Sequence, residues 1–465
     1  MNMFRAFAPP TQGSVTVVES GAFIVKGNHS QVPICDGLDI QTGLLHEFCF
    51  TEISPLSRDL SVLLGAVKYV DRSVRRKHGR GWERHLSLTV PVYEIATWRR
   101  DDVASTLMDT LQYLTGDVWQ VRFVKRRRIS APSGQMSLPA SPDRRRVFVP
   151  FSHGLDSFAQ SELLRASEIG FDVIPVHLRS SAVEQTMKSL GRSAKRKPTP
   201  IPVSSNVNEP KHAEPSFRTR PFLFDGLAAY AAVLSEGGEV VIPENGQGSL
   251  GGSLVRLGAE APHRSCHPGF TTRLAHFFDC LTGKKVTFVH PALFHTKGQV
   301  LRSLLQVQPD SVAWLAEHPS CSYDARHANR GGKKVHCGVC GNCLLRRTSI
   351  LAAGIVDSTD YKVSDLHAKS LEEAIVADDK LLTLGSYKDI ARNAARSMQR
   401  LADLSSSDKQ YRVAAEAEGL ASYQRRSRSE VRDALDGMLE QHSHEWMDFL
   451  GHCGKSSWVA LLARE

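Results

Sequence analysis

Apolar and polar positions alternate along 14–18 and 22–25, on either side of a turn at 19–21, and again along 85–93. Period two predicts three strands. Between them Leu60, Leu63, Leu64, Val67 and Val70 recur at helical spacing, and Val103, Leu107, Leu111 and Leu114 do so after the third strand. Residues 1–128 therefore read as a small α+β unit, a sheet with two helices on one face. Proline lacks the N–H that a ladder needs, so Pro91 places the third strand at an edge or marks its end.

From 147 the pattern changes to short, mostly apolar runs. Runs at 147–150, 171–177, 200–204, 239–243 and 285–289 predict five buried strands. Helical faces separate most of them: Leu155, Ala159, Leu163 and Ala166; Leu223, Leu227, Tyr230 and Leu234; Leu274, Phe277, Phe278 and Leu281. This alternation predicts an α/β unit over 144–355 built on a five-stranded, mostly parallel sheet. Ligands of such sheets sit at the carboxyl ends of the strands, where strand order reverses. The stretch 129–143, rich in Pro, Ser and Gly, reads as a linker between the two units. A Ser-, Lys- and Pro-rich loop is expected over 180–215, with Lys195–Lys197 in solvent. Beyond 355 the pattern is helical to the end (356–465). Ser370 and Glu373 have capping-box spacing there, and a long amphipathic helix is expected over 427–450.

The 465 residues are 41% hydrophobic and 23% charged, a balance expected of a soluble globular protein. No apolar run approaches bilayer length, and the first residues lack a signal-peptide core, so a cytoplasmic location is expected. The net charge of +9 suits nucleic acid or nucleotides and decides neither. The basic run 72–84 contains Trp82 and would serve a nucleic acid, but a solvated connector is the stronger expectation. Of nine cysteines, three fall within seven residues, which favours a metal site in a reducing compartment over disulfides.

Three stretches carry chemistry. The first is Ser152-His-Gly-Leu-Asp-Ser157, a strand-to-helix turn. Its helix would offer free N–H groups at the positive end of the dipole, the hydroxyls of Ser152 and Ser157 would add donors, and Asp156 would orient the turn or hold a metal ion. The second is Pro243-Glu-Asn-Gly-Gln-Gly-Ser249 after the fourth strand, where Glu244 and Asn245 could bond the edge of a purine-like ring. Arg218 and Arg220 open a helix and Lys297 sits in the first turn of another, capped by Thr296. Cations there are unfavourable for the dipole and hint at an anion, although a solvated lysine head is the safer expectation for Lys297. The third is Cys321 followed by Cys337, Cys340 and Cys343, a Cys-x₁₅-Cys-x₂-Cys-x₂-Cys array. It fits structural zinc, with an iron–sulfur cluster as rival and His336 as a possible replacement for Cys321. The other five, Cys35, Cys49, Cys266, Cys280 and Cys453, read as core thiols.

The 152–157 turn resembles the Ser-Gly-Gly-x-Asp-Ser loop of the N-type ATP pyrophosphatases, with His153 at the first glycine position. A non-glycine residue with φ > 0 is costly there, though His is among the better tolerated. With the Arg220 segment, Thr296-Lys297-Gly298 and Ser320-Cys-Ser-Tyr323 followed by His336-Cys-Gly-Val-Cys-Gly-Asn-Cys-Leu-Leu-Arg346, the order is similar to that of 7-cyano-7-deazaguanine synthases (QueC). Arg220-Pro221 stands where those enzymes have Arg-Asn. The resemblance covers about 145–355. The enlarged chain, with Leu111-Gln-Tyr-Leu-Thr-Gly-Asp-Val-Trp119, looks like the QueC-like QatC branch of bacterial anti-phage operons.

The resemblance implies an adenine nucleotide alpha hydrolase fold and an ATP-dependent carbon–nitrogen ligase using Mg²⁺ and Zn²⁺. Its substrate would be 7-carboxy-7-deazaguanine, and its acceptor ammonia or a partner protein from the same operon. It implies catalytic roles for Asp156, Lys297 and Arg220, and ATP contacts from Ser152, His153, Gly154, Leu155, Asp156, Ser157 and His177. Substrate contacts would come from Arg218, Arg220, Glu244, Asn245 and Gly246, and metal ligation from the four cysteines. A tRNA-modifying pyrophosphatase and a non-catalytic zinc-containing assembly subunit are the alternatives.

Overall fold

A computed structural model describes residues 9–77, 81–127, 146–167, 172–179, 201–208, 214–256, 258–315, 318, 320–322, 328–330, 332–375, 384–406 and 410–465. The expected linker at 129–143, the Lys195–Lys197 stretch and Tyr323 lie outside them.

Two sheets organise the chain. The strands are β1 Thr11–Val18, β2 Ile24–Lys26, β3 His29–Pro33, β4 Leu38–Gln41, β5 Arg84–Val92, β6 Val118–Lys125, β7 Arg146–Pro150, β8 Asp172–Arg179, β9 Ile201–Val207, β10 Gly238–Val241 and β11 Val286–Val289. The first sheet has the order β2-β3-β1-β5-β6. It is parallel except for the edge pair β2–β3. The two strands read on either side of the 19–21 turn are therefore not neighbours, because β3 lies between them. Strand β5 is central rather than an edge. Pro91 is tolerated because the ladder to β1 stops at Thr89, two residues before it, so the strand-end reading of Pro91 is the one that applies.

All five strands read after 147 are present, and they pair in parallel as β11-β10-β7-β8-β9. The sheet has six strands, not five. Strand β4, from the first 128 residues, adds antiparallel to β9 with Leu38 opposite Val207. One hydrophobic core runs through both sheets, from Val15, Leu63 and Leu88 to Phe148, Ile174 and Phe277. The helix Pro55–Ser73 starts at a Ser54 cap that accepts from the Ser57 N–H, and it buries Leu60, Leu63, Leu64, Val67 and Val70.

Strand order reverses between β7 and β10. The loops after β7, β10 and β11 thus open at one crevice.

Among the described residues the tail is helical from Leu384, and 356–375 is not. Residues 361–375 carry isolated bridges, Val363 to Ile375 among them, and the Ser370–Glu373 spacing closes a turn, not a helix. The long helix is Arg428–Cys453, with a complete Ser427–Glu430 capping box. Among the described residues no helix is long and apolar enough to cross a membrane.

Candidate functional site

Strand β7 buries Val147, Phe148 and Val149 completely, which fixes where the next turn emerges. Gly154 caps the helix Leu155–Ala166 without a side-chain bond, and the N–H groups of Leu155, Asp156 and Ser157 have no acceptor among the described residues. Three free donors at the positive end of a helix make an anion cradle. Leu155 points into the core. Ser152 is exposed at the mouth, its Oγ 3.3 Å from the Gly154 N–H, and Ser157 donates to the Gly154 carbonyl at 3.0 Å.

His153 takes φ 57°, the left-handed conformation that favours glycine. Its ring turns inward, 1% exposed, edge-to-face with Phe151 and with His177 of β8 at centroid distances of 4.7 and 4.9 Å. Neither ring nitrogen has a hydrogen-bond partner among the described residues. Burial lowers its pKa to about 3, so it stays neutral. The imidazole leaves the backbone cradle unobstructed.

Four polar groups meet beside the cradle. Lys297 donates to Asp156 Oδ2 at 2.5 Å, and Asn245 Nδ2 donates to Asp156 Oδ1 at 2.9 Å and to Glu244 Oε1 at 2.8 Å. Lys297 is 5% exposed, so its head is ion-paired, not solvated. Asn245 Oδ1 accepts from the Gly248 N–H at 3.0 Å, capping the helix Gly246–Leu254. Its amide is thus fully engaged in orienting the loop. Gly246 donates to the His295 carbonyl, and a Cβ there would stand 2.4 Å from the Leu293 carbonyl oxygen. Burial, followed by the nearby Asp156 charge, raises Glu244 to about 8. At neutral pH it is a carboxylic acid and can donate.

The two arginines part company. Arg220 is exposed at the start of the helix Arg220–Leu234, stacks on Phe224 at 5.0 Å and has no carboxylate partner among the described residues. Desolvation lowers its pKa, and Cys266 and Asp225 are its neighbours. Arg218 is buried, stacks on Trp82 at 4.5 Å and pairs with Glu260 at 3.2 Å. It is a packing residue in this structure. At the start of their helix Asp71 Oδ2 accepts from the Thr219 N–H and hydroxyl at 2.8 and 3.0 Å.

Asp71 belongs to an ionic seam that also corrects the reading of 72–84. Arg84, fully buried, reaches Asp71 and Asp117 at 2.6 Å each, and Arg76 reaches Asp117 at 2.7 Å. Trp82 lies between Arg76 and Arg218. These groups are neither a solvated connector nor free for a nucleic acid.

Cys321, Cys337, Cys340 and Cys343 form the metal-binding candidate. Their sulfurs all lie within 4.8 Å of one another, with Cys337 and Cys343 3.7 Å apart. A tetrahedral ion at about 2.3 Å would hold sulfurs about 3.8 Å apart, so the set fits a single ion. A cluster core would spread them further. The Cys337 and Cys340 N–H groups point at Cys321 and Cys337 sulfurs, each at 3.4 Å. Gly338 has φ 86°, and a Cβ on it would meet the Val363 carbonyl oxygen at 2.3 Å. His336 does not replace Cys321: its Nε2 accepts from the Ser320 N–H at 3.1 Å. Of the remaining cysteines only Cys453 is buried; Cys35 is exposed.

The metal element also reaches the cradle. Arg346, fully buried on the helix Gly341–Ala352, donates to the His318 carbonyl and to Ser320 Oγ, both at 2.9 Å. His318 Nδ1 in turn donates to the His153 carbonyl at 3.0 Å. Neither Arg346 nor His318 was singled out from the sequence as part of this contact, since its only signal is the spacing of Arg346 after the cysteines.

The chain matches no family model, no curated protein and no solved structure.

Proposed function

We propose that the chain is an ATP-dependent carbon–nitrogen ligase of the 7-cyano-7-deazaguanine synthase type, on an adenine nucleotide alpha hydrolase fold. It would activate the carboxylate of 7-carboxy-7-deazaguanine and pass the acyl group to an amine, either ammonia or the N-terminus of a partner protein. The observation that carries this reading is the free N–H cradle at 155–157 meeting Asp156 and Lys297 where strand order reverses. The anti-phage setting rests on the sequence resemblance alone.

In this reading the cradle and Ser152 hold the phosphates of ATP, and Lys297 supplies positive charge beside them. Asp156 is the carboxylate nearest the cradle for a Mg²⁺ ion, which when bound neutralises phosphate charge. Arg220, without an acid partner, receives the substrate carboxylate or the departing pyrophosphate. A carboxylate oxygen attacks the α-phosphorus and pyrophosphate leaves. The amine nitrogen then attacks the acyl carbon, AMP leaves, and the amine proton passes to solvent. Glu244, held as an acid, donates to an acceptor on the heterocycle. The four cysteines would hold a zinc ion and leave no position for water, which would give it a structural role.

Mass spectrometry of a reaction with ATP, Mg²⁺, 7-carboxy-7-deazaguanine and ammonia or a candidate partner tests this. AMP, pyrophosphate and a new amide or nitrile are expected. Zinc-loaded protein that yields no AMP with any amine would overturn the ligase reading.

A further inference from the structure

The helix Arg428–Cys453 reaches the crevice from behind, through two residues one turn apart on the same face. His442 is buried, and its Nδ1 accepts from Gln247 Nε2 at 2.9 Å while its Nε2 donates to the Met398 carbonyl at 3.0 Å. Gln247 Oε1 accepts from the backbone N–H of Lys297 at 2.7 Å. Glu445, 3% exposed, accepts from the Thr296 hydroxyl at 2.7 Å and from Gln441 at 3.0 Å.

Thr296 is the N-cap of the helix Lys297–Val307 in a complete capping box with Gln299. Donating its proton to Glu445 leaves the Thr296 oxygen to accept from the Gln299 N–H at 3.1 Å, so the carboxylate sets the polarity of the cap. The same carboxylate lies at the positive end of that helix. It fits closely: a Cβ on Gly298 would stand 2.6 Å from Glu445 Oε1. One link therefore holds the N–H of Lys297 and the other holds the cap before it. What both immobilise is the residue whose amine meets Asp156.

We infer that His442 and Glu445 are positioning residues, which act through Gln247 and Thr296 to hold the Lys297 ammonium against Asp156. A long C-terminal helix is thus part of the site's construction. Its importance for turnover rests on the ligase reading; its effect on Lys297 does not.

The test is competitive acylation of full-length protein by a small activated ester, with the Lys297-containing peptide followed by mass spectrometry. Glu445→Ala and His442→Leu are expected to raise Lys297 labelling by roughly tenfold, the effect of releasing one charge-assisted or buried hydrogen bond. Glu445→Gln, which keeps an acceptor for Thr296, is expected to lie between them and wild type. Leu439→Ala, a core lesion on the same helix outside the two links, serves as control. It is expected to lower Tm and leave Lys297 labelling unchanged. Wild-type labelling in both Glu445→Ala and His442→Leu would overturn the inference, as would equal acceleration in Leu439→Ala. Where AMP release is measurable, the two variants are expected to lower kcat with KM for ATP little changed. Absence of AMP release in wild type would sink the ligase reading and leave the labelling result standing.

Discussion

Glu244 is a carboxyl whose charge the fold resists. Its folded pKa, about 8, lies above the ordinary value of 4.5, so folding favours the protonated form. Raised acids reverse the usual carboxylate sign: the folded state binds the extra proton, and stability falls as pH rises from about 4.5 to about 8. Glu244→Gln keeps the neutral shape. It is expected to match wild type near pH 5 and to be more stable at pH 9, by on the order of 4 kcal/mol; urea titrations at the two pH values check this. Gly298→Ala tests the closeness of Glu445 to the helix start. The overlap is expected to cost about 1–3 kcal/mol by thermal denaturation, relieved in part when Glu445 is shortened to Asp. At this scale the cysteine array and the 152–157 turn were legible because their chemistry is local in sequence. The partner of Lys297 and the anion at Thr219 were not. Each is a carboxylate more than a hundred residues away, and spacing along a chain carries no signal for that.

Among the elements, the seam of Arg84, Asp71 and Asp117 joins the helix Pro55–Ser73, strand β5 and the turn into β6 to the start of the helix Arg220–Leu234. Desolvation pushes Asp71 up, but the Arg84 charge and the hydrogen bonds from Arg84 and Thr219 together outweigh it, and its pKa is lowered. Arg84→Ala leaves two buried carboxylates without their shared cation and is expected to cost roughly 3–5 kcal/mol by urea unfolding. Losing the cation in this way should cost more than Arg84→Met combined with Asp117→Asn, which removes charge on both sides. In the four-cysteine element, Cys343→Ser is expected to lower bound zinc, by elemental analysis, from one equivalent to well below it. The five strands after 147 were legible because each is a short run dominated by apolar residues, as strands of a parallel sheet covered on both faces are. Strands β3, β4 and β6 were missed. The first two are short and mixed in polarity, and their pairing comes from neighbours in space: β1 for β3, β9 for β4, while β6 pairs with β5.

For the whole molecule, one core shared by two sheets predicts shared cooperativity. Calorimetry is expected to show residues 9–127 and the second sheet melting in one transition, because separating them would expose Leu38, Ile40 and Leu64 together with the faces they cover. Two resolved transitions would contradict this. The helical tail was legible as helix from its periodicity, but its reach into the crevice through His442 and Glu445 was not. Two buried polar residues on an apolar face look the same whether they brace a site or only each other.

Strand β4 has a consequence for how the protein is born. It leaves the ribosome early, yet its partner β9 follows about 160 residues later. At roughly 5–20 residues per second that is a wait of about 8–32 s. Through that interval Leu38 and Ile40 belong to a strand without a sheet. The nascent chain must therefore hold its first part open, and the finished architecture can close only after the second sheet has been translated.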